Sequence, residues 1–244
     1  MERAEYDAMA GLEDHMWWYR VLHALIGDRL VEAGIAATTG APLVDFGCGT
    51  GGLLKRLAAR LPGVALAGVE YDAAAAATAR AKSGAAVAVG SIVQPPLADG
   101  AAAAIVSADV LSHRLVDPPA ALREAHRCLR LGGILVLNLP AYRWMLSAHD
   151  REVHNARRFT RGEAVGMVAA AGFAVRRATY WNMFLFPLMA LRRLVAGGGS
   201  SDVKPFPAPI DALFGAVTGV ERWLIARGLA LPFGGSILVV AEKR

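Results

Sequence analysis

Two acids and three glycines carry the first chemical signal in this chain of 244 residues. In LVDFGCGTGG, residues 43–52, an apolar run (Leu43, Val44, Phe46) carrying Asp45 opens into a turn where Gly47, Gly49 and Gly51 alternate. Glycine costs conformational entropy on folding, so alternating glycines after a buried strand mark a backbone that needs positive φ or touches a ligand closely. Gly47, Gly49 and Gly52 also satisfy GxGxxG, the pattern that seats a pyrophosphate on a helix N-terminus. Asp45, two residues before the first glycine, would repel a pyrophosphate and favour a cationic or zwitterionic ligand. A second apolar run from Val64 closes at Glu70, 18 residues beyond Gly52, where an acid accepts hydrogen bonds from ribose hydroxyls. Together these residues read as a site for an adenosine-type nucleoside without a pyrophosphate.

The pattern that must position them alternates strand and helix. Periodicity predicts helix over 15–34, 51–61, 72–82 and 118–130, and strand over 42–46, 64–70, 86–89, 103–107 and 133–139. Such alternation builds a parallel sheet with right-handed crossovers and ligands beyond the carboxyl ends of the strands. Residues 47–51, 70, 91 and 109–113 all follow strands and so converge on one edge. After an irregular stretch beyond Asn138, Thr160 and Glu163 have the spacing of a capping box ahead of another helix. Strands at 173–180 and 236–240 are expected to pair antiparallel.

On these residues the chain resembles the class I S-adenosylmethionine-dependent methyltransferases, of the small-molecule kind related to the ubiquinone-type enzymes. The resemblance runs from about Leu43 to Phe173 and resumes at the last strand. It implies an α/β fold, a doubly wound Rossmann-like seven-strand sheet, mostly parallel with an antiparallel last strand. An N-terminal helical cap (1–40) and a helical insertion (183–233) would flank a core of 41–182 and 234–244. The cofactor implied is S-adenosylmethionine, in contact with Asp45, Phe46, Gly47, Cys48, Gly49 and Gly51 of the first motif and with Glu70 and Tyr71. Its adenine side falls on Ser91 and Ile92, where Ser91 replaces the family's usual acid with a weaker neutral acceptor. The fourth-strand motif places further cofactor contacts at Asp109, Val110 and Leu111 and ends at His113; RCLRLGG, 127–133, looks like the helix, Gly-Gly and fifth-strand signature.

The implied reaction is methyl transfer to an oxygen, nitrogen or carbon of a small acceptor. Where a proton must leave, His113, His149 and His154 are the candidates, because histidine titrates near neutral pH. A purely structural role competes for each. Trp18, Tyr142, Arg157 and Arg158 are candidate acceptor contacts, the arginines as clamps for a carboxylate or phosphate or as a solvated helix entrance. Tyr19 and Arg20 would meet the methionine carboxylate if the N-terminal helix folds over the cofactor.

The insertion joins an apolar segment ending in Arg192 and Arg193 to a linker (197–209) and an amphipathic helix (210–229). It reads either as a hydrophobic lid or as a surface for a lipid-like acceptor and peripheral membrane contact. Between Arg143 and Arg193 nine arginines face three acids (Asp150, Glu152, Glu163), a local +6 against +5 for the chain. These arginines sit in apolar context without aromatic stacking positions, which argues against nucleic acid.

Composition narrows the classes further. Hydrophobic residues reach 55%, but much of this is alanine, and no uncharged apolar run is long enough to span a bilayer. The N-terminus has no basic start or apolar stretch, so a cytoplasmic protein is expected, peripheral at the inner face of the membrane if the insertion binds lipid. Cys48 and Cys128 are too few for a zinc site, and no metal is implied. A monomer or homodimer acting on a small molecule is expected. An NAD-type oxidoreductase and a non-catalytic cofactor-binding protein remain as alternatives on the same scaffold.

Overall fold

A computed structural model of the chain describes residues 3–37, 40–146, 150, 154–195 and 206–244. Two helices, α1 (Arg3–Leu12) and α2 (Trp17–Glu32), precede β1 (Leu43–Phe46), α3 (Gly52–Arg60), β2 (Leu66–Glu70), α4 (Ala73–Ser83) and β3 (Ala86–Val89). Then come β4 (Ala102–Ala108), α5 (Pro118–Cys128), β5 (Leu129–Pro140), a 3-10 turn (Arg143–Met145), α6 (Arg161–Ala170) and β6 (Phe173–Trp181). Helices α7 (Phe186–Val195) and α8 (Ala208–Ala226) lead to β7 (Ser236–Lys243).

The strands form one seven-stranded sheet in the order β3-β2-β1-β4-β5-β7-β6. Strands β1 to β5 pair in parallel, and β7 lies between β5 and β6, antiparallel to both. Strand order reverses between β1 and β4, and a doubly wound sheet opens its ligand crevice at that point. Central strands are buried on both faces, which is why β1, β4 and most of β5 are near-continuous apolar runs rather than alternating ones.

Local chemistry sets the helix ends. Asp72 caps α4 by accepting from the Ala74 and Ala75 N–H groups, both at 2.9 Å. Thr160 and Glu163 form the expected reciprocal capping box of α6. Two boundaries differ from the sequence reading. The N-terminal cap is two helices, with α1 separate from α2, and β5 begins at Leu129, before the Gly-Gly pair rather than after it. Gly132, at φ +72°, lets the strand turn through that pair without ending, and Leu129 already pairs with Ala102.

The cap and the insertion are tied to each other. Arg222 of α8 bonds both oxygens of Asp28 on α2, at 2.6 and 2.9 Å, and Trp17 meets Phe214 edge-on at 5.6 Å. Most of the linker expected over 197–209 lies outside the described residues. Thr160→Ala removes one half of the α6 capping box and should cost about 1 kcal/mol. Thermal unfolding should then shift down by roughly 2–4 °C for a chain of this size.

Candidate active site

The turn after β1 is shaped by backbone conformations that only glycine adopts easily. Gly47, Gly49 and Gly51 have φ of +79°, +53° and +89°. A side chain on Gly47 would sit 2.5 Å from a Val110 methyl, and one on Gly51 would sit 2.7 Å from the Ala79 backbone. So Gly51 serves the packing of α3 on α4, and it does not line the cavity. Gly47 and Gly49 do.

Beyond the carboxyl ends of the strands lies a cavity of about 810 Å³, within the range of small-molecule sites. Its first half is acidic. Glu70 accepts from the Gly49 N–H (2.8 Å), the Asp72 N–H (3.0 Å) and the Tyr6 hydroxyl (3.1 Å). Glu13 is neutralised by Lys82 at 2.6 Å and accepts from the Thr50 hydroxyl. Asp45 is buried and has no hydrogen bond or ion pair among the described residues. Burial first, then the nearby Glu70 and Glu13, push its carboxyl up to about 8. A cation beside Asp45 would relieve that penalty, whereas a pyrophosphate would add to it.

The second half is built around the end of β4. Asp109 lies at φ +59°, and both its oxygens are 3.0 Å from Asn138 Nδ2. The Asn138 carbonyl oxygen in turn accepts from the Trp181 indole at 2.7 Å. Burial raises the Asp109 carboxyl to about 7, against the lowering effects of the Asn138 bond and Arg158. His113 is shifted the other way, down to about 4, by burial first and then by surrounding positive charge. Tyr142, His154 and Asn182 share the positive φ of Asp109, so every such non-glycine residue described lies beyond a strand on this side of the molecule. Apolar wall comes from Trp17, Trp18, Met189 and Phe206.

Most residues expected from the sequence meet at this cavity. Trp18, Tyr19, Cys48, Tyr71, Ser91, Ile92, Val110, His113 and Arg158 line it, with Asp45, Gly47, Gly49, Glu70 and Asp109. Others are placed elsewhere. Phe46 and Leu111 are buried in the core. Arg20 is turned away, bonded to Asp211 at 2.7 Å, which corrects its expected place at the methionine carboxylate. Arg157 donates to the His113 and Val116 carbonyls and so staples a loop. Arg158 holds Asp150 through two nitrogens, the shorter contact 2.8 Å. Neither arginine is placed as the expected anion clamp. Tyr142 stacks on Tyr180 at 5.4 Å instead of lining the cavity, and His154 meets the His113 ring at 5.7 Å from behind the wall. His149 lies outside the described residues.

Several wall residues escaped the sequence reading. Tyr6, Met9 and Glu13 arrive on or just after α1, whose contacts are long-range and carry no local signal. His23, also on the wall, is held down at about 4 by burial. Asn138 did carry a signal, a lone amide inside the apolar run ILVLNLP.

Residues 44–137 match the family model described as a methyltransferase domain. Over those residues the chain carries a methyltransferase domain. No curated protein matches the sequence. Among solved structures, the complex of the Haloferax volcanii Trm112 methyltransferase activator with a methyltransferase contains a chain 20% identical. That alignment covers 99% of both chains, with a TM-score of 0.64. A sarcosine dimethylglycine methyltransferase structure from Galdieria sulphuraria is 16% identical over 91% of this chain and 85% of that one, with a TM-score of 0.62. Geranyl diphosphate C-methyltransferase from Streptomyces coelicolor A3(2) is 18% identical over 91% and 77%, with a TM-score of 0.57. At these identities the likeness concerns the fold.

Asp45 and Asp109 make the stability of the ligand-free methyltransferase depend on pH. Both carboxyls are raised above the usual 3.8, to about 8 and about 7, so the folded state binds protons that the unfolded chain has already lost. The stabilisation is full below about pH 4 and fades as pH rises toward 8. Melting temperature should therefore fall from pH 5 to pH 8, and Asp45→Asn should flatten the slope. An equally steep slope in the variant would mean that Asp45 does not titrate in this range.

Proposed function

We propose that the acidic half of the cavity holds S-adenosylmethionine and that the half beyond Asp109 holds a small acceptor with an apolar body. The observation that carries this reading is the wall itself: an uncompensated buried carboxylate, Asp45, beside a ribose-type acid, Glu70, in a cavity whose other end is apolar. In this reading Glu70 takes the ribose hydroxyls, and Tyr71, Ser91 and Ile92 flank the adenine. Asp45 and the Gly47–Gly49 backbone face the methionine portion, and Tyr19 and Cys48 close the wall around it. When bound, the cofactor supplies a methyl group on a sulfonium sulfur, which keeps the carbon–sulfur electron pair as a neutral thioether. The protein's share is to exclude water, align the acceptor and take up a proton where one is released. Asp45 weighs against an NAD-type oxidoreductase, since a pyrophosphate would face an acid that has no cation beside it among the described residues.

The apolar wall of the acceptor half suits an apolar acceptor body, and two of the guanidiniums there, Arg158 and Arg193, are already tied to the single carboxylate of Asp150. Geranyl diphosphate, the acceptor named for one structural neighbour, also has a long apolar body. Phe184, Leu188 and Leu191 are about half exposed near Arg192 and Arg193, two arginines that also line the cavity, a pattern suited to an anionic interface. No helix among the described residues is long and apolar enough to cross a membrane. In this reading the 1–40 cap and the 183–233 insertion cover a core of 41–182 and 234–244, and membrane contact is peripheral.

Two measurements check the halves separately. Glu70→Gln should weaken S-adenosylhomocysteine binding by about 1.5–3 kcal/mol, roughly 10- to 150-fold. Tyr6→Phe should instead preserve or tighten it, since the Tyr6 hydroxyl competes for a Glu70 oxygen. For the acceptor, S-adenosylmethionine with 4-octylphenol, decylamine or dodecanoic acid should yield a methylated product by mass spectrometry. Serine at positions 184, 188 and 191 should lower binding to anionic liposomes while leaving cofactor affinity intact. Wild-type protein that ignores both the apolar acceptors and the liposomes would sink the lipid-like reading.

A further inference from the structure

We propose that Asp109 is the base of the acceptor site, taking the proton from the hydroxyl or amine that receives the methyl group. The proposal rests on the division of the cavity given above, and it moves the proton-accepting role from the histidines to a carboxylate. Asp109 closes β4 at the strand-order reversal and lines the cavity between the glycine turn and the apolar half. Its neighbour Val110 packs on Gly47. The carboxylate is thus held beside the cofactor turn while its own polar surroundings belong to the acceptor half.

What holds the carboxylate is a chain of neutral donors. Trp181 and Asn138 are fully buried, and the indole fixes the Asn138 amide so that its Nδ2 faces both Asp109 oxygens. The Asp109 N–H also donates to the Asn138 carbonyl at 2.9 Å. A left-handed backbone at a non-glycine residue persists only when its surroundings enforce it, and such conformations gather at functional sites. An amide aims a carboxylate without neutralising it as an arginine would. The nearest guanidinium, Arg158, is spent on Asp150. The other titratable or charged groups that face Asp109 are Tyr19 on α2, Asp150, and His113 on its own loop. Tyr19 is itself raised by burial first, with the charge of Glu13 and Asp109 adding to it, so it stays neutral.

The step balances without another reagent. The acceptor's O–H or N–H bond breaks, the proton bonds to an Asp109 oxygen, and the electron pair stays on the heteroatom that accepts the methyl group. A base works best when its pKa lies near the working pH. Burial brings Asp109 up to about 7 and takes His113 down to about 4. Turnover limited by Asp109 should therefore rise with pH through about 7, whereas a His113 base would give a limb near 4.

Three readouts test the assignment. In ligand-free protein the indole N–H resonance of Trp181 should shift with pH through about 7, and Asp109→Asn should abolish that shift. An unmoving wild-type resonance overturns the proposal. By calorimetry, Asp109→Asn should bind S-adenosylhomocysteine within about twofold of wild type, as a change confined to the chemical step requires. A loss of tenfold or more would make Asp109 a cofactor anchor and overturn it. With 4-octylphenol, Asp109→Asn should lower turnover by about two to four decades, while His113→Ala keeps the limb near pH 7. A limb near pH 4, or full activity in Asp109→Asn, overturns the proposal. If wild type does not methylate 4-octylphenol, the apolar-acceptor reading fails and the first two readouts still decide Asp109. Asparagine tolerates the left-handed backbone, so the variant should fold.

Discussion

The cavity is organised by the cost of burying a carboxylate without a cation. Three acids converge on the carboxyl edge of β1 and β2, and two of them are satisfied. Glu13 has Lys82, Glu70 has two backbone N–H groups and a tyrosine hydroxyl, and Asp45, in the central strand, has nothing among the described residues. An unpaired charge in low dielectric either neutralises or finds a partner. The glycine turn leaves room for such a partner to approach, and α1 contributes Tyr6 and Met9 to the same wall. In the proposed reading Asp45 stays incomplete until a ligand with a positive centre arrives.

That cover has to be registered on the core, and a few charged contacts do this. Asp28 on α2 bonds Arg60 at the end of α3 and Arg222 on α8, so one carboxylate ties core, cap and insertion. Arg20 adds a second link to α8 through Asp211, which also accepts from the Trp17 backbone N–H. Partly exposed pairs of this kind contribute little energy individually. Their effect is geometric: they fix how α8 lies across α2 while apolar contacts such as Trp17 on Phe214 supply the adhesion. The insertion is therefore no free flap along α8, whatever its preceding segment does.

The parts of the site visible in the sequence were those encoded by local backbone demands. Alternating glycines, an acid closing an apolar run, and Thr160 with Glu163 each state a requirement of their own neighbourhood, and each is found where that requirement predicts. The arginines carried less information for the opposite reason. A guanidinium has five donors and takes the nearest acceptors, and which acceptors are near is a tertiary fact: Arg20 found Asp211, 191 positions away. Half-burial next to cationic neighbours shifts His113 down from the neutral range of free histidine.

The same environment acts in opposite directions on two groups of one loop. Desolvation disfavours charge, so it lowers a histidine and raises an aspartate. An acid ordinarily too weak a base thus gains the proton affinity that the histidine loses. Asn138 and Trp181 then decide where the lone pairs of that acid point, because an amide fixed by a buried indole cannot rotate to follow the substrate. In the proposed reading such a site would discriminate among acceptors by shape and by the position of one acidic hydrogen. Arg158 and Arg193 share the single carboxylate of Asp150, so both guanidiniums are tied to the wall before an acceptor enters.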